Sequence, residues 1–205
     1  MWQKNSKRTY KDLTMSIQTK NPKSTFIHIP KNAGTSIAKW LRQNANGKDI
    51  MQNNFGGKHA NQARIMKLER NLPLGQIIVC VRNPFDRLLS AYRYYSKQNR
   101  LAWTSERSFE DYILWGGYRK GFWHCGDEPS ISYFSMKDKP IIIRYENLNE
   151  DFDQVRHFFD KTGVLPHDNK TKGAGSYHDH YTPQMIDVVL KKHKADFDQF
   201  GYTFE

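Results

Sequence analysis

Three short apolar runs, rich in β-branched residues, stand out from an otherwise polar chain: Thr25–Ile29, Gln76–Val81 and Pro140–Arg144. Each is continuous rather than alternating, as expected of a strand covered on both faces. Between and after them, apolar residues recur three or four positions apart. Ile37, Trp40 and Leu41 predict a helix over Thr35–Gln43, and Ile65, Met66 and Leu68 predict one over Asn61–Arg70. A helix over Phe85–Ser96 has Pro84 in its first turn, where the fixed φ of proline is tolerated. Phe152, Val155, Phe158 and Phe159 give Asn149–Lys161 an apolar face, and Thr182-Pro183 reads as the N-cap and first residue of a helix to about Lys194. Gly56-Gly57 marks a turn.

Apolar strands alternating with amphipathic helices predict an α/β fold, with a parallel central sheet flanked by helices. Ligands of such sheets bind beyond the carboxyl ends of the strands, so Pro30–Ser36 and Arg82–Ser90 should meet on one edge. The 205 residues suit one domain over 25–205, preceded by a polar, lysine-rich arm over 1–24. No window has the apolar length of a membrane span, and the N-terminus has no apolar signal core.

Charge narrows the ligand. With 32 Lys+Arg against 21 Asp+Glu the net charge is +11, which favours nucleotides, nucleic acid, acidic glycans or an anionic membrane surface. Two cysteines, Cys80 in an apolar run and Cys125 in a loop-like stretch, make no disulfide framework and point to a reducing, cytoplasmic setting. An excised luminal domain is the competing expectation. Nothing in the sequence speaks to oligomeric state.

Two segments read as phosphate sites. Phe26–Ser36 and Val79–Ser90 each run from an apolar strand through a polar turn into a helix, which places backbone amides and a cation where an anion can sit on a helix N-terminus. The first is not the nucleoside-triphosphate loop, because its lysine comes early at Lys31 and none follows Gly34. Two such sites suggest a ligand phosphorylated at two separated positions.

Pro30-Lys31-Asn32-Ala33-Gly34-Thr35-Ser36 resembles the 5′-phosphosulfate loop of sulfotransferases that use 3′-phosphoadenosine 5′-phosphosulfate (PAPS). Arg82 with Ser90 resembles their 3′-phosphate motif. The likeness continues through Ile141–Leu148 with Asp151-Phe152, the stretch Leu165–Lys172, Tyr181-Thr182 and Phe200-Gly201-Tyr202, and is nearest to the carbohydrate (Golgi-type) branch and its bacterial relatives. It implies a P-loop NTPase-like sulfotransferase fold and transfer of a sulfuryl group to an acceptor hydroxyl, most naturally on a glycan. The product would be adenosine 3′,5′-bisphosphate, with no metal and no nucleic-acid partner.

The resemblance assigns Lys31, Asn32, Ala33, Gly34, Thr35 and Ser36 to the 5′-phosphosulfate, and Arg82 and Ser90 to the 3′-phosphate. Lys170, Thr171 and Lys172 fall to a lid over the nucleotide. Ser90 lies about two helical turns beyond Arg82, so a shared phosphate requires the turn to fold back. Lys31 is also placed to offset charge as the bridging bond breaks. His59, between the Gly56-Gly57 turn and a helix, is the candidate general base, since imidazole titrates near neutrality. Glu146 is the other candidate; His28 reads as structural, and Asp86 as a helix cap or a partner for an arginine. His178-x-His180 and His124-Cys125 lack the second half of a zinc site. The aromatic, basic stretch 103–128 suits a ring-bearing acceptor and suits core packing equally. Two other classes compete. A kinase on a similar sheet lacks a clear magnesium-binding carboxylate after a strand, and a nucleic-acid-binding domain is supported only by charge and interleaved aromatics.

Overall fold

The computed structural model describes residues 16–50, 60–68, 73–98, 108–116, 128–166 and 175–205. Its strands are β1 (Ile17–Lys20), β2 (Lys23–Ile27), β3 (Lys48–Asp49), β4 (Gln76–Val81) and β5 (Ile141–Arg144), in the order β3-β1-β2-β4-β5. β2, β4 and β5 are parallel, which is the centre that the continuous apolar runs predict. β1 is antiparallel to both β2 and β3 and extends the sheet on the β2 side.

That extension revises the boundary expected at residue 24. Ile17 is fully buried, and the buried Thr19 hydroxyl donates to the Pro22 carbonyl at 2.7 Å and lies 2.8 Å from the Ser24 hydroxyl. Residues 17–24 are therefore part of the sheet; residues 1–15 lie outside the described residues. A strand reading Ile-Gln-Thr-Lys has one apolar residue, too few for a periodicity to register.

The side-chain period of two in a strand divides the core into two layers. Ile78 and Cys80 of β4 pack in one cluster with Ile37, Trp40 and Leu41 of α1 (Gly34–Asn44). Phe152 joins that cluster, as do Val155 and Phe159 of α6 (Asp153–Phe159). Ile77, Val79 and Val81 belong to the opposite cluster, with Ile65 of α2 (Gln62–Leu68), Tyr133 and Phe134. A third cluster joins Phe85 and Leu88 of α3 (Pro84–Gln98) to Tyr112 and Ile113, which follow α4 (Phe109–Asp111), and to Met185 and Val189 of α7 (Pro183–Lys192).

One expected helix is divided. The 149–161 helix is α5 (Leu148–Asp151) followed by α6, with the junction at Phe152. The expected last helix is α7, and a further helix not expected from the sequence, α8 (Lys194–Phe200), follows it after His193. Thr182 caps α7 as expected, its hydroxyl accepting from the Met185 amide. The aromatics Phe109 and Tyr112 are packing residues: Phe109 lies edge-on to Tyr181, and both approach Tyr92. Trp103, Tyr118, Phe122 and Trp123, the other aromatics considered for acceptor binding except Trp115, lie outside the described residues.

A buried polar group ties α3 to α8. The fully buried Arg87 donates to the Ser130 hydroxyl at 2.8 Å and to the Glu128 carbonyl. The Asp196 carboxylate accepts from the Ser130 and Ile131 amides at 2.6 and 2.9 Å. His193 is also fully buried; among the described residues neither ring nitrogen has a hydrogen-bond partner, and the Asp196 carboxylate stands 4.0 Å away. Burial first, then the charges of Arg87 and Lys192, push its pKa down to about 2.

Native His193 thus stays neutral while the unfolded chain takes up a proton below about pH 6.5. Stability is full above that pH and falls as the pH drops toward about 2, with this residue contributing up to about 1.4 kcal/mol per pH unit. In urea titrations at several pH values, His193→Leu is expected to flatten the acid limb between about pH 6 and 4 by up to that slope; an unchanged slope would refute the assignment.

Candidate active site

The carboxyl ends of β2, β4 and β5 reach the same edge of the sheet, since Ile27 pairs with Val79 and Val81 with Arg144. Beyond β2 the chain makes a tight loop in which Lys31 and Ala33 are left-handed, at φ 65° and 53°. Each such non-glycine residue costs roughly 1–2 kcal/mol, so the surroundings must impose the shape. Asn32 supplies one restraint: it is buried, and its amide donates to the Cys80 carbonyl at 2.8 Å, fastening the loop to β4. Its Nδ2 is committed there, and among the described residues its buried Oδ1 has no hydrogen-bond partner.

Ala33 caps α1 without a side-chain hydrogen bond, and the first turn of α1 holds no acidic residue. The helix start is left electropositive, with no acidic side chain of its own first turn to compete for it. Gly34 is required by contact: a Cβ there would fall 1.9 Å from Cδ2 of the buried His28 ring. His28 is thus the floor of the loop, in line with a structural reading.

Arg82, at the end of β4, is 8% exposed and joins three elements. Its Nη1 donates to the Lys31 carbonyl at 3.0 Å, and its Nε and Nη2 contact one Asp86 oxygen at 2.7 and 2.6 Å. The guanidinium also lies 3.8 Å from the ring centroid of Tyr145, which follows β5. The Lys31 ammonium sits 3.9 Å from the ring centroid of Tyr94, on α3. Asp86, Ser90 and Tyr94 follow one another at i+4 and share a face of that helix. The half-buried Ser90 therefore falls between the Arg82–Asp86 pair and the Lys31–Tyr94 contact.

Other expected residues are reached only in part. His59, Lys170, Thr171 and Lys172 lie outside the described residues. Ala60, next to His59, is buried in the cluster that includes Ile29 and Val81, at the ends of the strands that bear the site. Glu146 faces structural partners, the Asn83 amide and the Tyr202 hydroxyl. His178 contacts the Ser176 hydroxyl and His180 contacts Arg93. Tyr94 and Tyr145 were not found from sequence: a ring under a cation leaves no local pattern when its partner lies on another element.

The sequence matches the sulfotransferase family over residues 15–203. The chain belongs to that family. Comparisons with curated proteins and with solved structures return no match. Family membership makes this a sulfuryl-transferring α/β domain, and the loop after β2 and the turn after β4 lie where the fold presents ligands. No helix among the described residues is long and apolar enough to cross a membrane. Among them, too, no group of three His, Cys, Asp or Glu side chains could hold a metal ion.

Gly34→Ala is expected to destabilise this sulfotransferase by about 1–3 kcal/mol through overpacking. His28→Ala in the same chain should return part of that loss. Denaturant midpoints of the four proteins in the double-mutant cycle measure the coupling, and strictly additive effects would show that the two residues do not clash.

Proposed function

We propose that this sulfotransferase uses PAPS as donor and a carbohydrate hydroxyl as acceptor, and releases adenosine 3′,5′-bisphosphate. The observation that carries the reading is the pairing of two cationic points at adjacent strand ends: Lys31 beside an uncapped helix start, and Arg82 bonded to the Lys31 carbonyl. A nucleotide bearing two separated anionic groups fits this pair better than one with a single phosphate chain. The residues present suit the donor, because the α1 amides and an ammonium match a 5′-phosphosulfate and a guanidinium matches a terminal phosphate.

The donor supplies the sulfuryl group, which passes to the acceptor oxygen as the bond to the 5′-phosphate breaks. Lys31 offsets charge on that side, with the amides and hydroxyls of Asn32, Ala33, Gly34, Thr35 and Ser36 around the phosphate. Arg82 and Ser90 hold the 3′-phosphate, and Lys170, Thr171 and Lys172 close over the nucleotide. His59 takes the acceptor proton. The cysteine usage fits a cytoplasmic site of action.

Incubation with PAPS and candidate glycans, followed by mass spectrometry, tests the reaction: sulfated glycan is expected, and none across neutral and acidic acceptors would count against it. Arg82→Ala should weaken the bisphosphate by about 1.5–3 kcal/mol in calorimetry and adenosine 5′-monophosphate far less. Equal losses would remove Arg82 from the 3′-phosphate site.

His59→Ala should leave the thermal shift given by the bisphosphate nearly intact, since the residue faces the acceptor. Turnover should drop by roughly 10²–10⁴. Near wild-type turnover would place the base elsewhere.

A further inference from the structure

The turn that carries Arg82 is gripped from behind by residues distant in sequence. Glu146 follows Tyr145, the ring beneath the guanidinium. Its Oε1 accepts from the backbone amide of Asn83 at 2.7 Å, and its Oε2 accepts from the Tyr202 hydroxyl at 3.1 Å. The carboxylate therefore bridges the peptide just after Arg82 to the segment that follows α8. The Asn83 side chain repeats the pattern. Its Oδ1 accepts from the Phe85 amide and starts α3, while its Nδ2 donates to the Thr203 carbonyl at 2.8 Å and to the Tyr177 hydroxyl at 3.2 Å.

Every contact here restricts the Arg82-Asn83 backbone, and none reaches toward the loop after β2. Both Glu146 oxygens are occupied by donors, one of them a backbone amide that cannot move without moving Arg82. Burial and the neighbouring carboxylate push the Tyr202 hydroxyl pKa well up, so it remains a donor. Arg144 lies 5.3 Å from the Tyr202 ring centroid, which holds that ring beside the strand end.

We propose that Glu146, held by Tyr202, is the positioning residue for the second phosphate: it sets the Arg82-Asn83 peptide, and so aims the guanidinium, without exchanging a proton with the acceptor. The proposal rests on the PAPS reading above, which assigns that phosphate to Arg82. It replaces the alternative in which Glu146 is the general base, and it makes residues 202–203 part of nucleotide discrimination although they lie far along the chain from the phosphate loop.

The readout is the ratio of affinities for adenosine 3′,5′-bisphosphate and adenosine 5′-monophosphate, measured by calorimetry together with turnover on a glycan that the wild-type protein sulfates. Glu146→Ala should cut the ratio about tenfold, with little change in monophosphate affinity. Glu146→Gln should restore ratio and turnover, because the amide oxygen still accepts from Asn83 and the amide nitrogen can donate to Tyr202. Tyr202→Phe, which removes one hydroxyl, should cut the ratio about threefold and decides the matter if Glu146→Ala does not fold. A Glu146→Gln protein that keeps the ratio but loses turnover would make Glu146 a base and overturn the proposal. A wild-type preference that Tyr202→Phe and a folded Glu146→Ala leave intact would overturn it alone. No wild-type preference for the bisphosphate would sink the donor assignment and this proposal with it.

Discussion

A nearly buried guanidinium organises this protein. A charge at 8% exposure is expensive unless it is paired and hydrogen-bonded, and Arg82 meets that demand by drawing on Lys31, Asp86 and Tyr145 together. Those partners come from the loop after β2, the first turn of α3 and the turn after β5. Satisfying one side chain therefore fixes the relative placement of three strand ends. A lysine would not replace it, since a point charge cannot address a carbonyl and a carboxylate with a planar fork while laying a flat face on a ring.

The loop after β2 shows where local preference has been overridden. Two non-glycine residues, Lys31 and Ala33, sit in left-handed conformations that cost free energy when the chain is free. The loop keeps its shape because Asn32 is tied to β4 and Gly34 is pressed against the His28 ring. The strain is carried by the fold itself, which holds the start of α1 in position.

How much of this was legible depended on how local each signal was. β2, β4 and β5 were readable because strands buried on both faces leave continuous apolar runs, and α3 because proline marks its start. β1 escaped because Ile17 is its only apolar residue and its burial depends on β2 and β3. The same rule holds at the site. The i+4 spacing of Arg82 and Asp86 is a sequence pattern, whereas Lys31 over Tyr94 and Glu146 on Asn83 exist only once the sheet has brought distant segments together. The break at Phe152 left no proline or glycine to announce it, so α5 and α6 read as one helix, whereas α8, beyond the expected end of α7, was not read.

The parallel pairing of β2 with β4 has a consequence for selectivity. Neighbouring strands lie about 4.8 Å apart, and here β2 pairs with β4 as far as Ile27 and Val79, two residues before β4 ends. The loop of Lys31 and the turn of Arg82 grow from adjacent rails, and the Arg82 side chain bridges them by its hydrogen bond to the Lys31 carbonyl. On the proposed donor reading, a ligand is measured before it is read: charges set apart by the right span would touch both rails, and a compound with its charges bunched at one end would fill one and leave the other empty.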